Sequence, residues 1–152
     1  MRKIITLLAV SLIGFGVKAQ ETMQQVMEKR AREMHRVICL SDKEQWKKFI
    51  TENYTQAFID RAMKTQVSRS DNSGTSTEKK EIGSNLDGKV GMIEQLHNTF
   101  GESKITSIKP NDDKLEMVLS SADLGATFNL KFTTTEPYLI EGVRIQAEAG
   151  NR

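Results

Sequence analysis

Ala126-Thr127-Phe128-Asn129-Leu130-Lys131-Phe132-Thr133 alternates apolar and polar side chains without a break. A period of two puts one set of side chains on each face of a strand, so this stretch predicts a half-buried β-strand. Leu115, Met117 and Leu119 alternate with Glu116, Val118 and Ser120 upstream of it, and a short strand from Lys104 to Lys109 carries Ile105 and Ile108. Pro110-Asn111-Asp112-Asp113 and Thr135-Glu136-Pro137 supply turn chemistry between strands. Tyr138 to Gln146 closes the set, and Ile140, Val143 and Ile145 change phase around Gly142, the mark of a bulge. Four successive strands with short connections predict an antiparallel meander with one face covered.

The cover comes from the first half of the chain. Met23, Val26, Met27, Ala31, Met34, Val37 and Ile38 recur at spacings of three and four, which paints one face of a helix. Ser41-Asp42-Lys43-Glu44 reads as a capping box that opens a second helix. That helix carries a stripe of Trp46, Phe49, Ile50, Tyr54, Ala57 and Phe58. A third helix is predicted from Leu86 to Phe100, with Leu86, Val90, Ile93, His97 and Phe100 on one face and Gly101 as its stop. Between them, Lys64 to Asn85 has only Val67 and Ile82 as large apolar residues and reads as a polar mobile loop. The fold class is α+β, helices first and sheet second.

Met1-Arg2-Lys3, an apolar run from Ile4 to Val17 and the small residues of Val17-Lys18-Ala19 describe a secretory signal cut after Ala19. At 14 residues the run falls short of the roughly 20 needed to span a bilayer. Cleavage would leave 133 residues, Gln20 to Arg152, as a single domain that is exported to the periplasm or beyond. The signal holds Arg2, Lys3 and Lys18 and no acids, so the net charge of +2 falls to −1 on its removal. No basic field is left to attract nucleic acid or anionic membrane.

Chemical motifs are sparse. Ser70-Asp71-Asn72 and Ser76-Thr77-Glu78-Lys79 spell two signatures of penicillin-recognising serine enzymes, but in the wrong order, six residues apart and with no K-T-G following. Phosphate-binding glycine loops, G-x-S-x-G and the spacings of zinc ligands are absent, so the sequence predicts no cofactor, no metal and no catalytic residue. Cys39 is the only cysteine and sits in the apolar run Val37-Ile38-Cys39-Leu40 as a small hydrophobe, while His35 reads as a helix-surface residue. His97 reads as a core histidine held by one hydrogen bond, or as a general base if an acidic partner faces it.

Ser41 to Tyr54 and Ile93 to Gly101, followed by strands ending in Leu139-Ile140-Glu141-Gly142-Val143-Arg144-Ile145, resemble cystatin-like and nuclear-transport-factor-2-like domains. The likeness is to the small domain in front of exported bacterial beta-lactamase-related serine hydrolases and tail-specific proteases. Here the chain ends where such a hydrolase would begin. The resemblance implies a cone of helices on a curved sheet with a pocket at its wide end, and Trp46, Tyr54, His97, Phe128 and Phe132 are the residues expected to line it. It further implies a non-catalytic module for a small molecule or peptide, or an accessory acting in trans on an exported hydrolase, with a homodimer through the sheet as an analogy of fold. The competing expectation is an isomerase or dehydratase of the cone fold, using His97.

Overall fold

The computed structural model describes residues 21–71, 74–82, 85–122 and 124–149. The signal segment lies outside them. Among the described residues, four helices, α1 (Met23–Cys39), α2 (Lys43–Asn53), α3 (Gln56–Asp60) and α4 (Leu86–Phe100), are combined with six strands. β1 (Met63–Asp71) and β2 (Gly74–Ile82) form one two-stranded sheet. β3 (Lys104–Asn111), β4 (Lys114–Ser120), β5 (Leu124–Phe132) and β6 (Ile140–Ala149) form a second, antiparallel in chain order. The α+β meander expected from the alternating pattern is therefore present.

The strand phases decide which side of the meander is covered. Leu115, Met117 and Leu119 of β4 and Ala126, Phe128, Leu130 and Phe132 of β5 are all buried, and their alternating neighbours are more exposed. They pack with Met27, Ala31, Met34, Val37 and Ile38 of α1, Phe49 and Ile50 of α2 and Ile93 of α4 in one core. The bulge falls at Glu141, because Gly142 pairs with Lys131 while Ile140 already pairs with Phe132. The displaced Glu141 carboxylate lies 2.7 Å from Lys131 Nζ across the bulge. β3 runs on through Pro110, which an edge strand tolerates because its N–H side need not pair.

Four local readings need correction. The stretch from Lys64 to Asn85 is not a loop throughout, since β1 and β2 pair from Met63↔Ile82 to Asp71↔Gly74. A polar ribbon held by backbone bonds leaves no apolar alternation to detect, and only its Thr and Val content favours extension. The second helix is capped by Asp42, not Ser41: Asp42 Oδ1 accepts from the N–H groups of Glu44 at 3.0 Å and Gln45 at 3.2 Å. That helix also stops at Tyr54. Thr55 N–H donates to Ile140 O at 2.9 Å, which ties this break to β6, and Thr55 Oγ1 then caps α3. As a result Ala57 is exposed and Ile59 is buried in its place. His35 is half-buried rather than on the surface, with Nε2 3.0 Å from Ser103 O.

Gly101 ends α4 as expected, but for a steric reason. Its φ of −60° is open to any residue. A Cβ there would lie 2.6 Å from His97 O and 3.0 Å from His97 Nδ1. Gly101→Ala should therefore force a backbone shift and destabilise the protein by about 1–3 kcal/mol, as overpacking does. Denaturant unfolding reads this directly, and an unchanged midpoint would show that the α4 terminus yields freely.

Candidate functional site

The C-terminus of α1 is buried, and its last carbonyls need donors from outside the helix. The Trp46 indole N–H supplies two of these contacts, to Val37 O at 2.8 Å and Leu40 O at 2.9 Å. Nδ1 of His97 lies 2.8 Å from Ile38 O. A carbonyl only accepts, so Nδ1 carries the proton. The two rings stand 5.7 Å apart between centroids. Trp46 from α2 and His97 from α4 thus converge on the end of α1 as capping side chains.

The other expected pocket residues are also in the core. Tyr54 is 2 % exposed and contacts Phe49 and Phe58 at ring centroid distances of 5.6 and 4.9 Å. Burial holds its phenol well above the usual range, and its hydroxyl has no hydrogen-bond partner. Phe128 and Phe132 are fully buried, Phe128 edge-on to Phe100 at 5.6 Å. Of the five expected liners, Trp46 and His97 are brought together, while Tyr54, Phe128 and Phe132 occupy other parts of the core. None of the five lines the cleft between α1, the end of α2 and the β5–β6 turn.

Two further clusters invite chemistry. Cys39 Sγ lies 3.4 Å from His35 Nε2, a spacing that suits a thiol and its base. With Nε2 donating its proton to Ser103 O, that nitrogen has no lone pair for the thiol, and burial raises the thiol pKa. This is packing, not an activated nucleophile. Lys89 is buried, donates to Arg61 O at 2.6 Å and stands 5.0 Å from the Phe58 ring centre, with the Arg61 guanidinium 5.3 Å from the same ring. Among the described residues no group of three His, Cys, Asp or Glu side chains could hold a metal ion. No helix there is long and apolar enough to cross a membrane.

A half-open cleft of about 640 Å³ lies between α1, the end of α2 and the β5–β6 turn. Val26, Lys29, Arg30 and Glu33 line it from α1, positions three and four apart on one helix face. Glu52 and Asn53 contribute from α2, and Glu136, Pro137 and Tyr138 from the turn. Arg30 joins these walls. Its NH1 donates to Asn53 Oδ1 and, at 3.4 Å, to Glu52 O, while its NH2 donates to Pro137 O at 2.9 Å. Asn53 is fixed in turn because its Nδ2 donates to Phe49 O at 2.8 Å, which leaves Oδ1 for the guanidinium.

Partial burial lowers the pKa of Arg30, and its Nε is buried with no hydrogen-bond partner. Tyr138 holds a φ of 53°, where a bulky side chain is strained, and its N–H donates to Thr135 O at 2.9 Å. Thr133 braces the same turn: its Oγ1 accepts from Leu139 N–H at 2.9 Å and donates to Thr135 O at 3.0 Å. Sequence reasoning missed this site. Arg30 and Pro137 are 107 positions apart, and no local pattern marks their meeting.

No family model, curated protein or solved structure matches the chain.

Two conservative substitutions separate core roles from ligand roles. Trp46→Phe removes the donor to Val37 O and Leu40 O and leaves a gap, so it should cost about 2–4 kcal/mol in urea unfolding. Tyr54→Phe removes a buried hydroxyl with no partner and should leave stability unchanged or raise it by about 1 kcal/mol. A marked loss of stability in Tyr54→Phe would show that the hydroxyl is satisfied in solution.

Proposed function

We propose that the protein is an exported, non-catalytic binding module that takes a small molecule or peptide in the cleft between α1, α2 and the β5–β6 turn. The observation that carries this reading is the cleft itself. Its volume of about 640 Å³ falls in the size range of small-ligand sites, and its polar groups are held in place before any ligand arrives. The helices-then-meander order supports a cystatin-like or nuclear-transport-factor-2-like cone as the scaffold. In this reading the sheet's covered face is solid core, and the binding surface has moved to the rim of the helical layer.

The isomerase-type alternative is weaker. It needs His97 at a pocket, and His97 instead caps the end of α1 through Ile38 O and does not line the cleft. Export rests on the Met1 to Ala19 segment, where two cations, a short apolar run and small residues before the cut match what a signal peptidase reads.

Two measurements check the proposal. In a fragment screen followed by amide NMR, binders should shift Asn53 and Tyr138 and leave the Trp46 indole signal in place. Binders that shift Trp46 and Phe128 instead would return the site to the cone interior. N-terminal sequencing of protein recovered from the cell envelope should begin at Gln20. A start at Met1 would overturn export by cleavage.

A further inference from the structure

The two edges of the meander are guarded differently. A terminal strand presents unpaired N–H and C=O groups, and proteins blunt such an edge with lysines, proline or a bulge. β3 has all three: exposed Lys104 and Lys109, Pro110, and a break in register between Ile105 and Ser107. β6 is the other edge. Its first residues are covered, because Thr55 N–H donates to Ile140 O and Arg61 NH2 donates to Glu141 O, each at 2.9 Å. Beyond Gly142, among the described residues, no strand or bridge pairs with its outer side. Val143 to Ala147 contains no lysine, no proline and no break in register.

The ladder fixes where the backbone groups of this stretch point. Phe132 N–H donates to Asp113 O, on the β4 side of β5. Antiparallel strands turn alternate residues to alternate neighbours, so Lys131, Asn129 and Thr127 face β6 and bond its Gly142, Arg144 and Gln146. The N–H and C=O groups of Val143, Ile145 and Ala147 therefore point outward. The side chains of these three lie on the helix-covered face, opposite Leu130, Phe128 and Ala126, which are buried. Val143 and Ile145 are only half-buried and Ala147 is exposed, so the helical cover stops short of this end of the sheet.

The charges on the strand select what extends it. Arg144, Gln146 and Glu148 hold alternate positions, on the face turned away from the helices. Two copies of β6, paired antiparallel about a two-fold axis at Gln146, set Arg144 of each opposite Glu148 of the other. Ile145 then meets Ala147, which carries the apolar face across the join. An axis at Arg144 would oppose two like charges, and an axis at Ile145 would leave both Arg144 residues unanswered. The strand is complementary to itself in one register.

We propose that the protein forms a symmetric dimer by edge-to-edge pairing of β6, joining two meanders into one eight-stranded antiparallel sheet with its two-fold axis at Gln146. Val143, Ile145 and Ala147 supply the backbone bonds, and Arg144 with Glu148 sets the register. Gln146 is six residues from Ile140, about 20 Å along the strand, so the join is remote from the turn that walls the cleft.

Sedimentation equilibrium under reducing conditions and amide exchange by NMR test it. The protein should pass from monomer to dimer as its concentration rises. Dimerisation should slow exchange at Val143, Ile145 and Ala147 and leave Arg144 and Gln146, already bonded to β5, little changed. Ala147→Pro removes an outward N–H at an exposed edge position, so it should abolish the dimer and leave the monomer folded. Arg144→Glu should weaken association about tenfold, and adding Glu148→Arg should restore it.

A monomer at every concentration would overturn the proposal and leave the edge to a strand of another protein. A dimer that survives Ala147→Pro would also overturn it, because the copies then meet through another surface. A dimer lost in Ala147→Pro but equally strong in Arg144→Glu would overturn the register. If Ala147→Pro fails to fold, the exchange pattern of the unaltered protein decides: protection that rises at all five amides alike, or at none, overturns edge pairing.

Discussion

The end of α1 has to be satisfied before the other helices can close over it. Three carbonyls there, of Val37, Ile38 and Leu40, accept from Trp46 and His97, side chains that belong to α2 and α4. A helix terminus can be buried only when its open carbonyls find donors, and here the donors double as the contacts that set the helices against each other. Gly101 follows from the same arrangement, because the His97 ring and carbonyl leave no room for a Cβ. The helical layer so fixed covers Leu115, Met117, Phe128 and Leu130 of the meander.

Two turns back along α1 a second polar junction does a different job. Arg30 links the helical layer to the β5–β6 turn through bonds to Glu52, Asn53 and Pro137. The Trp46–His97 junction is closed and complete, whereas the Arg30 junction opens on a cleft and leaves Nε without an acceptor.

Much of the fold was legible because it is written in periodicity. The alternation of Ala126 to Thr133 and the three-four spacing of Met23 to Ile38 both report burial, and burial is what the meander and α1 are made for. The hairpin of β1 and β2 escaped because its sequence is largely polar and its pairing is carried by the backbone. Tyr54 looked like one more residue of an apolar helical stripe. The pairing of Thr55 with Ile140, 85 positions away, is what ends the helix there. The site was less legible than the fold for the same reason. Trp46 and His97 stand out as unusual residues in an apolar stripe, but what they do is cap a helix. Arg30, Asn53 and Tyr138 look ordinary in sequence and matter only through a meeting that folding creates.

Trp46 is the only tryptophan in the chain. It is 2 % exposed and stands beside His97 at the junction of three helices. Ultraviolet emission excited at long wavelength therefore comes from a single known address, shielded from water and next to an imidazole. The protein carries its own optical gauge of whether α1, α2 and α4 are seated together. Because Arg30 lies two turns back along α1 from the Val37 carbonyl that Trp46 caps, that gauge separates loss of the scaffold from events at the cleft without any label being attached.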